Sequence, residues 1–304
     1  MSSHQTSSKT NTYSPPTPGS SSDPTSLLIP ALLLSTHHPI YLPALQRQLT
    51  SLLTRTPRYP NNAISHRDAY PSLWADFIYM VPPALAYHAV YAADIGLARD
   101  AVQQCRLYCD VLGTGNGCWK HIVNAPGVDE SREDVKVDEG LWSTSNGWAA
   151  AGMARVLATV RKAGFEGEEE VLVRMVEGIV EGAMGFDTDS SGLLRNRLDD
   201  ESWFGEVAGT ALLAATVLRM AVLEPGVFGA KGKYVEWAMK KMEIVMRRCV
   251  NEETGVVAPV VNPTTDDQRT PLDGVSPEAQ TFVVLLYAAW RDWRAWVEKS
   301  DGVL

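Results

Sequence analysis

Apolar positions recur along most of the chain at intervals of three and four, the spacing of one helix face, in segments separated by Gly-, Pro- and Asn-rich links. The longest such segment, Ser72 to Asp94, is apolar on nearly every face over more than about five turns, which predicts a helix buried on most sides. Pro82 and Pro83 inside it predict a kink, or a split after the first turns. Upstream, Asp23-Pro24-Thr25-Ser26 reads as a helix start with Asp as cap and Pro as the first helical residue, opening the run Leu27–Leu34, bent at Pro30. Downstream, Ser143–Gly164 and Trp203–Leu223 are again apolar helices, and Ser276-Pro277 opens a last long one ending near Lys299. Amphipathic partners follow at Tyr41–Thr54, Leu97–Leu112, Glu168–Met184 and Lys233–Cys249. The unit of apolar helix, turn, amphipathic helix and longer link recurs every 50 to 75 residues or so, beyond the period of the common helical solenoids at about 34 to 47. That pattern predicts an all-α fold, a toroid of helical hairpins with the apolar helices inside and the amphipathic ones outside. All inner helices then point the same way and start at one end.

Composition narrows this picture. A chain of 304 residues, 45% hydrophobic and 21% charged, suits one globular domain, expected over residues 23–304. Residues 1–22, rich in Ser, Thr and Pro, read as a disordered tail without signal architecture, so a cytoplasmic location is expected. The net charge of −9 argues against a nucleic-acid partner, and no apolar run is long enough to predict a membrane span. Cys105 and Cys109 lie one helical turn apart, but Cys118, Cys249 and the scattered His residues supply no second pair. The expectation is free thiols, no metal and no cofactor.

Chemistry collects where the inner helices begin. The residues placed there are Asp23, Trp74, Asp76, Trp142, Asn146, Trp148, Trp203, Glu206, Glu278 and Gln280, with His121 on the long link Gly113–Leu141 above them. Indole faces stack on pyranose rings while carboxylates and amides hold hydroxyls, so the set reads as a sugar site. Two acids in one cleft also push their pKa values apart, leaving one protonated as a general acid. Each residue alone has a plainer reading: Asp23 and Asp76 as acids that start helices, any one Trp as core. His66-Arg67, on the loop entering the Trp74 segment, reads as a further candidate for the cleft, and His37-His38 as a solvated helix end.

Taken together, Trp74-Ala75-Asp76 with Tyr79-Met80 and Pro82-Pro83 resembles the W-x-D-x-x-Y-M-x-x-P signature of the unsaturated uronyl hydrolases, glycoside hydrolase families 105 and 88. WSTSNGW, Trp142–Trp148, is similar to that family's W-x-R-G-N-G-W segment, and Trp203-Phe204-Gly205-Glu206 and Ser276-Pro277-Glu278 resemble later segments. The resemblance implies an (α/α)6 toroid of six hairpins that hydrates the C4=C5 bond of unsaturated uronyl oligosaccharides left by pectin-type lyases. It further implies Asp76 and Asp23 as the catalytic pair and Trp74, His121, Trp142, Asn146, Trp148, Trp203 and Glu206 as substrate-binding. Two departures stand out. Thr144 occupies the place of the family's Arg, leaving the substrate's charge to Lys120, Arg67 or another cation, or else implying a different substrate or an inactive site. Only five inner helices are counted, so the first hairpin is expected to be missing or shortened, its apolar flanks covered by a homo-oligomer contact or another partner, or left bare by an incomplete gene product. A non-catalytic carbohydrate-binding or scaffold relative is the alternative function.

Overall fold

The structure, a computed structural model, describes residues 19–165, 169–229, 231–262 and 268–301. Helices α1 (Ser22–Ser26) and α2 (Leu28–Ser35) form one broken inner stave answered by the outer α3 (Leu42–Thr54). Three hairpins follow: α4 (Phe77–Ala92) with α5 (Ile95–Leu112), α6 (Ser143–Lys162) with α7 (Glu170–Gly185), and α8 (Val207–Leu223), then the short α9 (Pro225–Phe228), with α10 (Lys233–Ile244). The inner α11 (Pro277–Asp301) packs on α8. The staves α1, α4, α6, α8 and α11 pack each on the next in chain order, the helical toroid expected from the alternation of apolar and amphipathic segments. Among the described residues there are five inner staves and four outer ones. All of α8 from Val207 to Leu218 is buried, as its apolar character on every side requires.

Close contact between inner staves depends on small residues. A Cβ on Gly152 of α6 would stand 2.2 Å from the Ile78 carbonyl oxygen of α4, and one on Gly209 of α8 would stand 2.6 Å from the Ser143 carbonyl carbon of α6. Neither backbone could hold its distance with a larger residue there.

Four expectations are corrected. Ser72–Trp74 is not helical but strand β1, because it pairs with the long link rather than with α4. Helix α4 runs through Pro82 and Pro83 without the split that they could have caused. Of the carbonyls these prolines leave without helical donors, that of Tyr79 accepts a hydrogen bond from Arg155 Nη1 at 3.0 Å, and that of Ile78 lies against Gly152. The first stave breaks at Leu27, between α1 and α2, while Pro30 falls in the first turn of α2, where its missing N–H costs nothing. Finally, the disorder expected up to residue 22 does not extend over residues 19–22: Ser21 N–H donates to His66 O at 2.9 Å, its hydroxyl donates to Ser65 O at 2.6 Å, and Ser20, Ser21 and Ser22 are buried. Residues 1–18 of that expected tail lie outside the described residues.

Candidate active site

Short β pairs rim the end of the toroid where the inner helices begin, and they set the site. Strand β1 (Ser72–Trp74) runs antiparallel to β2 (Ile122–Asn124) with Trp74 opposite Ile122, and Ala75 N–H donates to His121 O at 2.9 Å. On the other side of β2, Ile122 N–H donates to Asp138 O at 2.6 Å and His121 N–H to Gly140 O at 3.1 Å. Three sequence-distant segments therefore bring Asp76, His121 and Asp138 together. A second rim, β3 (Leu194–Arg195) with β4 (Gly205–Glu206), continues to α6 through Ser143 N–H donating to Asn196 O at 2.9 Å.

Asp76 immediately precedes α4, yet its side chain caps no helical N–H. Its Oδ2 instead lies 3.3 Å from His121 Nε2, and its Oδ1 is buried without a hydrogen-bond partner. His121 is 1% exposed, and its Nδ1 lies 2.7 Å from Asp138 Oδ2, which forms an ion pair with Arg197 at 2.6 Å. Burial alone would lower the imidazole's pKa, but the Asp76 charge and the hydrogen bonds with Asp138 and Asp76 outweigh it and leave His121 above its ordinary value. Asp138 is pushed up by burial but pulled further down, to about 2, by His121 and Arg197. The result is an Asp138–His121–Asp76 chain whose outer carboxylate stays ionised while the imidazole carries or passes a proton.

Beside Asp76 opens a cavity of about 170 Å³. Trp74, Trp142 and Trp148 supply its indole walls, Met80 of α4 its apolar floor, and His121, Lys136 and Glu278 its remaining polar lining. The walls are themselves held. Trp74 stacks on His66 at 4.5 Å with planes 7° apart, and its Nε1–H donates to Ser72 Oγ. Trp142 donates from Nε1 to Asn196 Oδ1 at 2.7 Å and lies 4.6 Å from the His121 ring. Trp148, edge-on to Tyr79 and Phe282, donates to Glu278 Oε1 at 3.0 Å.

The structure thus brings together Trp74, Asp76, His121, Trp142, Trp148 and Glu278 of the residues placed at this end by the sequence. It does not bring Asn146, Trp203, Glu206, Gln280 or Asp23 to the cavity. Fully buried Asn146 clamps the His121 link, accepting from Trp119 N–H at 2.7 Å and donating to Trp119 O at 2.9 Å. Glu206, also fully buried, caps α8 by accepting from Ala208 and Gly209 N–H and from the hydroxyls of Ser143 and Thr144. Burial raises its pKa although all four bonds favour the ion. Trp203 packs with the guanidinium groups of Arg197 and Arg269, 5.9 and 4.8 Å from its ring centre, whereas Gln280 fastens residues 255–257. Asp23 is half-buried on α1, where Ser21 rather than Asp23 precedes the helix. It falls beside the Arg67–Asp68 turn because residues 20–22 dock on residues 65–67. His66 is a support for Trp74, not a wall of the cavity, and burial, with Arg67 and His121 nearby, lowers its pKa to about 3. Lys120 is paired with Glu139 at 2.5 Å, away from the cavity lining. Asp138 and Lys136 were not singled out from the sequence: they sit in an acid-rich link where no local signal separates Asp138 from Asp129 or Asp134.

Among the described residues no group of three or more His, Cys, Asp or Glu is arranged to hold a metal ion, and no helix is long and apolar enough to cross a membrane. A ring of inner helices whose starts converge on a carboxylate–imidazole pair walled by indoles defines a glycosidase-type α/α toroid. Its family follows from the sequence match: the chain belongs to glycosyl hydrolase family 88, whose model matches residues 18–288. Similar solved structures include a possible member of the GH105 family from Salmonella enterica subsp. enterica serovar Paratyphi A, 19% identical at a TM-score of 0.73 over 89% of this chain and 70% of that one. A family 105 glycoside hydrolase of C. acetobutylicum is 16% identical at a TM-score of 0.71 over 90% of this chain and 79% of that one. An unsaturated glucuronyl hydrolase specific for heparin is 13% identical at a TM-score of 0.68 over 92% and 76%. At these identities the likeness establishes the fold. None of the curated proteins matches the chain.

Proposed function

We propose that this protein hydrates the C4=C5 bond of an unsaturated uronyl saccharide, of the kind left when a lyase cleaves pectin or rhamnogalacturonan, and so releases the next sugar. The observation that carries the reading is Asp76: a buried carboxyl with one oxygen against His121 and the other without a partner, beside a sugar-sized cavity walled by three indoles. The family match and the unsaturated glucuronyl hydrolase among the similar structures support the substrate class.

The double bond is a vinyl ether, whose C4 accepts a proton to leave an oxocarbenium at C5. Asp76 gives that proton, water adds to C5, and the water's second proton returns to Asp76. The C5 hemiketal opens by breaking C5–O5, and the hemiacetal left at C1 collapses to an aldehyde and the free alcohol of the next sugar. One water is consumed, and no bond to the protein forms. His121, held by Asp138, fixes the orientation of Asp76 and stabilises its ionised form between the two proton transfers. The test is the loss of ultraviolet absorbance of the conjugated double bond, with an unsaturated rhamnogalacturonan disaccharide as substrate. Turnover by the wild type that falls at least about 100-fold in Asp76→Asn is expected.

One observation favours a second reading, a carbohydrate-binding relative without turnover. Thr144, where the family has Arg, is fully buried and its hydroxyl donates to Glu206, so it cannot reach a sugar. Saccharide binding by a wild type that never bleaches the double bond would establish that alternative.

A further inference from the structure

The hydration chemistry constrains where the substrate's own charge must lie. In an unsaturated uronyl group the carboxylate is bonded directly to C5, the carbon that receives water. When the double bond is within reach of Asp76, that carboxylate is in the same cavity. Asp76 and Glu278 already line it, and the charge that His121 carries is taken up by Asp76 and Asp138, so an incoming anion needs a further cation to answer it. Resting on the hydrolase reading, we infer that Lys136 is the residue that recognises the substrate carboxylate and restricts the site to acidic sugars.

Lys136 is the Lys or Arg that the cavity lining contains. Its Nζ lies 5.7 Å from the centre of the Trp74 ring, alongside the wall on which a pyranose would stack. The backbone that carries it is fixed from several sides. Lys136 O accepts from Asn124 Nδ2 at 3.2 Å, Val135 is buried, and Asp138 is bridged to Ile122. A long flexible stem on a fixed base lets the ammonium follow a carboxylate without moving the loop. Of the other cations suggested by the sequence, neither Lys120 nor Arg67 lines the cavity, although the Arg67 guanidinium also lies 5.8 Å from the centre of the Trp74 ring. A purely structural Lys136, one that only covers Trp74, would be indifferent to the charge of the sugar.

The two roles separate in a binding experiment on the full chain. Calorimetry on Asp76→Asn, in which turnover is expected to be at least about 100-fold slower, compares the unsaturated disaccharide as free acid and as methyl ester. About ten-fold tighter binding of the acid is expected, equivalent to about 1.4 kcal/mol, shrinking as salt is raised. Adding Lys136→Gln should abolish the preference, and Lys136→Arg should retain most of it. A preference that persists, with its salt dependence, in the Lys136→Gln variant overturns the assignment. Wild-type turnover of the acid keeps the hydrolase reading standing in that case. A wild type that neither bleaches nor binds the disaccharide in either form removes that reading and this assignment together.

Discussion

Asp138 does its work through another residue's ring. It holds His121 by the nitrogen remote from Asp76, so Asp138→Asn keeps the shape of the contact while removing the charge that favours the imidazolium. A fall in kcat of about 10- to 100-fold with a smaller change in KM is expected, read by the same absorbance assay. Stability should show the pairing as well. With its pKa raised above 6.5, His121 contributes fully below that value and loses its contribution as pH climbs through the raised value. Asp138, depressed from 3.8 to about 2, contributes above the first figure and loses that contribution as pH falls toward the second. The Tm gap between wild type and Asp138→Asn should therefore be widest between pH 3.8 and 6.5 and should narrow as pH climbs above 6.5 through the raised His121 value; a gap independent of pH would remove the charged pairing from the account. Asp76 and the three cavity tryptophans were legible because each sits beside a helix start in a short motif. Asp138 was not, because its place depends on the pairing of residue 138 with residue 122, and nothing local encodes that bridge.

Staves meet through their smallest residues, and the cost of enlarging them is a property of whole elements. Gly152→Ala puts a methyl into the Ile78 carbonyl and must part α4 from α6, at an expected cost of at least about 2 kcal/mol in denaturant unfolding. Glu206→Ala removes the cap of α8 and four hydrogen bonds at once, with an expected loss of about 3 kcal/mol. Because Glu206 is sealed behind the cavity, the saccharide affinity of the folded variant should stay within about two-fold of the parent, equivalent to about 0.4 kcal/mol. A large affinity loss without destabilisation would return Glu206 to the binding site. Element positions followed well from periodicity, as α5 and α6 illustrate. Where Ser72–Trp74 and Pro82-Pro83 misled, the reason lay in partners outside the element: β2 captured the first segment, and Arg155 supplied a donor that the prolines had taken away.

At the scale of the molecule, the toroid buries its thiols with its staves. Cys105 and Cys118 are buried, and burial pushes both thiols up, Cys118 to about 12. Cys109 and Cys249 are raised by the same cause. Labelling by a thiol reagent at neutral pH should thus be slow in the native protein and should track unfolding as denaturant is added. Rapid labelling of Cys105 or Cys118 under native conditions would mean that the staves open locally. The sequence by itself determined the helical hairpins, the order of inner and outer members and the family, since these follow from short-range periodicity and contiguous motifs. Only the tertiary structure decided which polar residues face the cavity and which seal its walls. Helix starts converging on one ring leave room for few side chains at the centre, and backbone pairing between distant links, not the chemical type of the residue, assigns those places.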